Sequence, residues 1–180
     1  RRMARRIHTL FDQGPARLLP RISLVADLGT SWKMAHLPPP VSPLRRRLEL
    51  IQLISRLLDQ QPDLAPRAAL YDLADSLASL MDEMQGEGVD PDAIERLDVS
   101  DQSGHWERIR AFLNIVRPFG LDGDAPGQEA RQRRVILDTI AAWQSTPPTH
   151  PIILAGSTGS RGSTHLLMQA VSRLPQGAVI

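Results

Sequence analysis

The chain contains no cysteine, which excludes disulfides, thiolate zinc sites and cysteine nucleophiles and fits a reducing compartment. It nearly lacks lysine, since Lys33 is the one lysine among 21 basic residues. No apolar run approaches the roughly 18 residues that span a bilayer. The opening Arg1-Arg2 is not followed by the apolar stretch of an export signal. A cytoplasmic protein with no membrane partner is therefore expected. Aromatic residues make up only 4%, and Trp32, Trp106 and Trp143 read as core anchors first and base-stacking platforms second. Hydrophobic residues at 42% and charged residues at 23% suit an ordinary globular core. The 15 prolines fall at joints between segments, so they do not indicate general disorder.

Net charge is +1, but it is unevenly spread. Residues 1–60 carry eleven basic and four acidic groups, residues 61–101 two and eleven, and the remainder eight and five. The acidic middle should avoid polyanions, which leaves the first and last thirds for any nucleic-acid contact. Arginine suits planar phosphate contacts, although a GC-rich coding sequence produces the same bias. Both ends read as cuts through a longer protein: the chain starts on Arg1 inside an amphipathic segment and stops in the apolar run Gly177–Ile180.

Met3, Ile7, Leu10 and Phe11 recur at helical spacing until Gly14-Pro15. Ile22–Ala26 predicts a short buried strand, and the proline-rich stretch 37–43 an extended linker. Four helices are expected, over about 43–60, 66–85, 103–117 and 126–144. The second carries a 3-4-3-4 stripe of Leu70, Leu73, Leu77, Leu80 and Met84. A helical turn near 91–97 fits between the second and third. Pro151–Ala155 predicts a strand buried on both faces. A glycine- and hydroxyl-rich loop follows, then a helix capped by Ser163, then a strand from Gly177. Strand, loop, helix and strand imply a parallel sheet with a right-handed crossover. The expected fold class is α/β and predominantly helical, with a partial parallel sheet. Residues 1–36 and 149–180 form the α/β part, and 37–148 an inserted helical lobe.

The loop Ala155-Gly156-Ser157-Thr158-Gly159-Ser160-Arg161-Gly162 offers backbone N–H groups and a helix N-terminus, which suit a phosphate. It matches neither a Walker A loop nor a dinucleotide fingerprint, and a plain tight turn explains it as well. Arg161 is its one phosphate-clamping side chain. Arg1, Arg2, Arg5 and Arg6 share a helix and either face phosphate or stand solvated. Arg45, Arg46 and Arg47 sit at a helix start, the end the dipole disfavours, and point to an outside anion or a carboxylate, or to a solvated face. The five histidines show no metal-ligand spacing.

The order of these segments resembles a known family. Arg1-Arg2-Met3-Ala4-Arg5-Arg6, Leu19-Pro20-Arg21-Ile22, Pro43-Leu44-Arg45-Arg46-Arg47-Leu48, His105-Trp106, Phe112-Leu113, Ile153–Ser160 and Leu174-Pro175-Gln176-Gly177-Ala178-Val179 look like the N-terminal part of the AddB family. These are subunits of bacterial AddAB helicase–nucleases in double-strand break repair, here of the alphaproteobacterial form. The resemblance covers nearly the whole chain, and its most specific pieces are the AGSTGS loop and the LPQGAV run. It implies a helicase-like, P-loop-type domain that is inactive as a motor, with a helical subdomain inserted. An AddA-type helicase–nuclease would be the partner, and homologous recombination the process. ATP with magnesium belongs to the complex, and an iron–sulfur cluster to a C-terminal domain outside this chain, so no cofactor is expected here. The strand ending in Ala155-Gly156-Ser157 stands where an active motor places carboxylates for magnesium; it has none.

Three functions follow as expectations. The first is a DNA-guiding scaffold without a catalytic site, in which Arg1, Arg2, Arg5, Ser157, Thr158, Ser160 and Arg161 touch DNA backbone, single-stranded or at a duplex end. The second is a helical protein-interaction module over 44–144, which would leave the 70–84 stripe exposed. The third is an enzyme holding a phosphate ligand on Gly156–Gly162, which needs an acid, base or metal beside the loop, where sequence alone offers Arg161 and His165.

Overall fold

The computed structural model describes residues 2–16, 18–30, 34, 36–90, 93, 110, 112–115 and 126–180. Among them the chain is predominantly helical with one two-stranded parallel sheet. Helix α1 spans Arg2–Asp12, α2 Pro43–Gln60, α3 Leu70–Glu87, α4 Gln128–Ser145 and α5 Gly162–Ser172. Strands β1 (Ile152–Leu154) and β2 (Gly177–Val179) flank α5 in sequence and pair in parallel, Ile153 opposite Ala178.

Helix α2 starts where its sequence says it should. Pro43 occupies the first turn, and the Ser42 hydroxyl accepts a hydrogen bond from the Arg45 N–H at 3.3 Å. Arg46, Leu50, Ile54 and Leu58 recur every fourth residue and form its buried line. Helix α3 ends at Gly88, whose φ of 74° lets its N–H reach back to the Gln85 carbonyl. The buried line of α3 runs through Ala74, Leu77, Met81 and Met84. Leu70 and Leu73 flank it half-buried, and Leu80 is exposed. Most of the stripe is thus covered from within the chain, by α2 and by Phe112 and Ile115.

That first core joins Leu50, Ile54 and Leu58 of α2 to Ala74, Leu77 and Met81 of α3. A second core gathers Ile136 of α4, Leu154 of β1, and Leu167 and Val171 of α5, with Trp143 and Ile140 packed against it. Helix α4 packs against α3 as well as α5 and so bridges the two cores.

Several expectations change. Residues 22–24 have no regular structure and Val25–Thr30 form a 3-10 helix, not the strand expected at 22–26. Side chains of α4 hold this turn: Gln132 Nε2 donates to the Val25 carbonyl at 2.7 Å, and Arg131 donates to the Gly29 carbonyl at 3.0 Å. Strand β1 is not buried on both faces, since Ile153 is 63% exposed; with two strands and α5 on one side, nothing among the described residues covers its other face. Ser163 does not cap α5. It is buried inside the first turn, and Arg161 holds the cap position without a side-chain hydrogen bond. The helix expected over 103–117 is described only at Arg110 and 112–115, all helical. Trp32, Trp106 and nearly all of the turn at 91–97 lie outside the described residues.

Candidate nucleic-acid interface

Helix α1 presents backbone positions 2, 5 and 6 on one face, because residues three and four apart align on a helix. Arg5 and Arg6 are exposed, and neither has a carboxylate partner among the described residues. None of the described side chains of α1, from Arg5 to Asp12, belongs to either core, and Leu10 is 69% exposed. Arg1 lies outside the described residues.

The glycine loop leaves the end of β1 and enters α5. Gly156 and Gly159 adopt φ of 74° and 66°, the left-handed region that glycine occupies without a Cβ penalty. The Gly156 N–H donates to the Ile180 carbonyl at 3.0 Å, which ties the loop to the end of β2. Within the loop the Ser157 hydroxyl accepts from the Gly159 N–H, and Thr158 Oγ1 donates to Ser160 Oγ, both at 3.3 Å. Thr158, Ser160 and Arg161 are exposed, and Ser157 is half-buried.

The N-terminus of α5 already holds a carboxylate. Glu87 Oε1 accepts from the Gly162 N–H at 2.7 Å, and the Arg161 guanidinium donates to Glu129 Oε1 at 2.6 Å. Glu87 is the last residue of α3, and Glu129 lies in the first turn of α4. Asp82 stands near Glu129 and Arg161. Desolvation raises its carboxyl pKa, the negative charge of Glu129 raises it further, and Arg46 and Arg161 pull the other way. The acids beside the loop therefore come from helices 30 to 80 residues back in sequence (Arg161 to Glu129 and Gly162 to Glu87 are 32 and 75 apart). No local pattern in the sequence reveals them.

The raised Asp82 pKa has a sign that an experiment reads. The folded protein holds this proton more tightly than the unfolded chain, so the contribution is full below the ordinary value of 3.8. It is lost as pH rises from there through the raised folded value. Asp82→Asn is expected to flatten that part of the stability–pH curve, measured as the urea midpoint at successive pH values. An unchanged curve would contradict the assignment.

The Arg45–Arg47 cluster meets carboxylates of its own chain. Arg45 Nε lies 2.9 Å from Glu49 Oε1, Arg46 3.2 Å from Glu49 Oε2, and Arg47 2.7 Å from Asp75. Arg46 is buried. Desolvation lowers its pKa, but from a value so high that the guanidinium stays charged. His36 lies 3.2 Å from Asp138, and His165 lies 2.9 Å from Gln169. Among the described residues no group of three His, Asp or Glu side chains is placed to hold a metal ion. No helix among them is long and apolar enough to cross a membrane.

No family model matches the chain, and no solved structure matches it. It is 36% identical over 55 residues to the mitochondrial threonine–tRNA ligases of Rattus norvegicus and Mus musculus. That stretch is 31% of this chain and 8% of those proteins, so the chain spans under a tenth of the length of the curated relatives it matches.

Proposed function

We propose that this chain is a motor-inactive, DNA-guiding segment of an AddB-type subunit, acting with an AddA-type helicase–nuclease in end resection for homologous recombination. The observation that carries the reading is the arginine face of α1. Arg5 and Arg6 stand exposed without carboxylate partners among the described residues, whereas Arg45, Arg46, Arg47 and Arg161 each meet an acid. Arg1 and Arg2 extend the same sequence cluster. Exposed guanidinium groups on one helix face suit a phosphate backbone and read no base sequence. The end of β1 supports the motor-inactive part: Ala155-Gly156-Ser157 offers no carboxylate for magnesium. In this reading the strand–loop–helix–strand unit is part of a helicase-like domain, and Ser157, Thr158, Ser160 and Arg161 form a second contact to the same backbone.

Replacing Arg5 and Arg6 by alanine tests this. For single-stranded DNA the slope of log K against log salt is about −0.7 per neutralised phosphate, so the double variant is expected to flatten the slope by about 1.4. Fluorescence anisotropy with a short oligothymidylate reads it. A slope equal to that of the unaltered chain would overturn the assignment of α1.

A further inference from the structure

The cation of the glycine loop and the helix N-terminus behind it are both already taken. Glu129 takes Arg161 and Glu87 takes the Gly162 N–H, at 2.6 and 2.7 Å. Glu87 sits at the C-terminal end of its own helix, where the dipole disfavours a negative charge, and it is compensated by the positive end of α5. Gly162 makes the approach possible: a Cβ there would strike the Glu87 carboxylate and come within 3.3 Å of its Cα. The acids belong to α3 and α4, and the groups they neutralise belong to the β1–α5 turn. The two contacts thus join the helices to the sheet unit. We infer that they form an autoinhibitory latch, in which Glu87 and Glu129 neutralise the loop until a DNA phosphate displaces them and engages Arg161. The inference rests on the DNA-contact reading and adds its regulation.

The pieces suit a latch that opens. Arg161 is exposed and its partner Glu129 half-buried, so water and salt reach the guanidinium side of the pair, and the exposed Glu87 carboxylate is open to the same competition. A phosphate brings more negative charge and more acceptor oxygens than one carboxylate, so it competes for the same guanidinium. Asp82, the third acid there, adds repulsion for an incoming phosphate; Arg46 is the other cation facing it.

The test uses the whole chain and an oligothymidylate of about 20 nucleotides, with the double variant Glu87→Gln, Glu129→Gln. Glutamine keeps the size and an acceptor oxygen for the Gly162 N–H while removing the charge, and equal urea midpoints confirm that the fold is kept. The latch predicts binding roughly 3- to 10-fold tighter at low salt and a salt slope steeper by about 0.7, one added phosphate contact. Adding Arg161→Ala should return the slope to that of the unaltered chain. The control Asp63→Asn, Asp72→Asn changes net charge equally away from the loop and should leave the slope alone. If the unaltered chain binds but the Gln variant matches it, or tightens with the slope unchanged, the latch is overturned and the α1 reading stands. If neither chain binds, both are overturned.

Discussion

Gly177→Ala is expected to lower the stability of the chain by about 3 kcal/mol, the upper end of what overpacking costs. The cause is close approach, because φ at Gly177 is not in the left-handed region. A Cβ at this position would collide with the carbonyl oxygen of Val171 and lie 3.0 Å from Leu174 Cβ. Neither neighbour yields easily. Val171 is fully buried in the second core, and the Leu174 carbonyl accepts the Gly177 N–H at 3.1 Å as the chain turns from α5 into β2. Strand β2 is held in turn by Ile152 N–H to the Gln176 carbonyl and Ile180 N–H to the Leu154 carbonyl. Alanine must therefore shift backbone in either α5 or the sheet. In a domain of this size the melting temperature should fall by roughly 6–12 °C. Gly156→Ala makes the comparison informative. No atom lies within 4 Å of its Cβ position, but φ is +74°, so strain alone should cost about 1 kcal/mol. Equal losses at the two glycines would contradict the packing described for β2.

The second large effect separates two neighbours on α4. Ile136 is fully buried where α4 meets β1 and α5, whereas Leu137, one position on, is 41% exposed. Ile136→Ala removes buried methyl groups and leaves a cavity, for about 3–4 kcal/mol. Leu137→Ala should cost under about 1 kcal/mol, since surface truncations rarely cost more. Because α4 also packs on α3, the loss should appear as one cooperative transition in urea, not as early melting of the sheet alone. Similar losses at both positions would mean that α4 is rotated from the orientation described.

What the sequence made legible depended on how local the cause was. Helix α2 was legible over about 43–60 because apolar residues recur at helical spacing within it, though the face that is buried runs through Leu50, Ile54 and Leu58. The β1–loop–α5–β2 unit was legible for the same reason, since an apolar run, a glycine turn and a helical period sit side by side in the chain. The readings that failed had causes far away in sequence. In place of the expected strand at 22–26, a 3-10 helix from Val25 docks on α4, where Gln132 and Arg131, more than 100 residues on, hold the carbonyls of Val25 and Gly29. Two-sided burial of β1 failed at Ile153 because a continuous apolar run does not say how many strands or layers will cover it. At the loop, Arg161 was found from its neighbours, while Glu87 and Glu129 were missed. Ser163 carries the residue type of a cap, and the carboxylate of Glu87 does that work from another helix.

The central claim is that the chain grips nucleic acid by its phosphates through α1. The most direct measurement is the affinity of the unaltered chain for a short oligothymidylate at about 50 and about 200 mM salt. With three to four phosphates neutralised, affinity is predicted to fall roughly 20- to 50-fold between the two conditions. Affinity equal at both salts, or no binding at the lower one, would contradict the account.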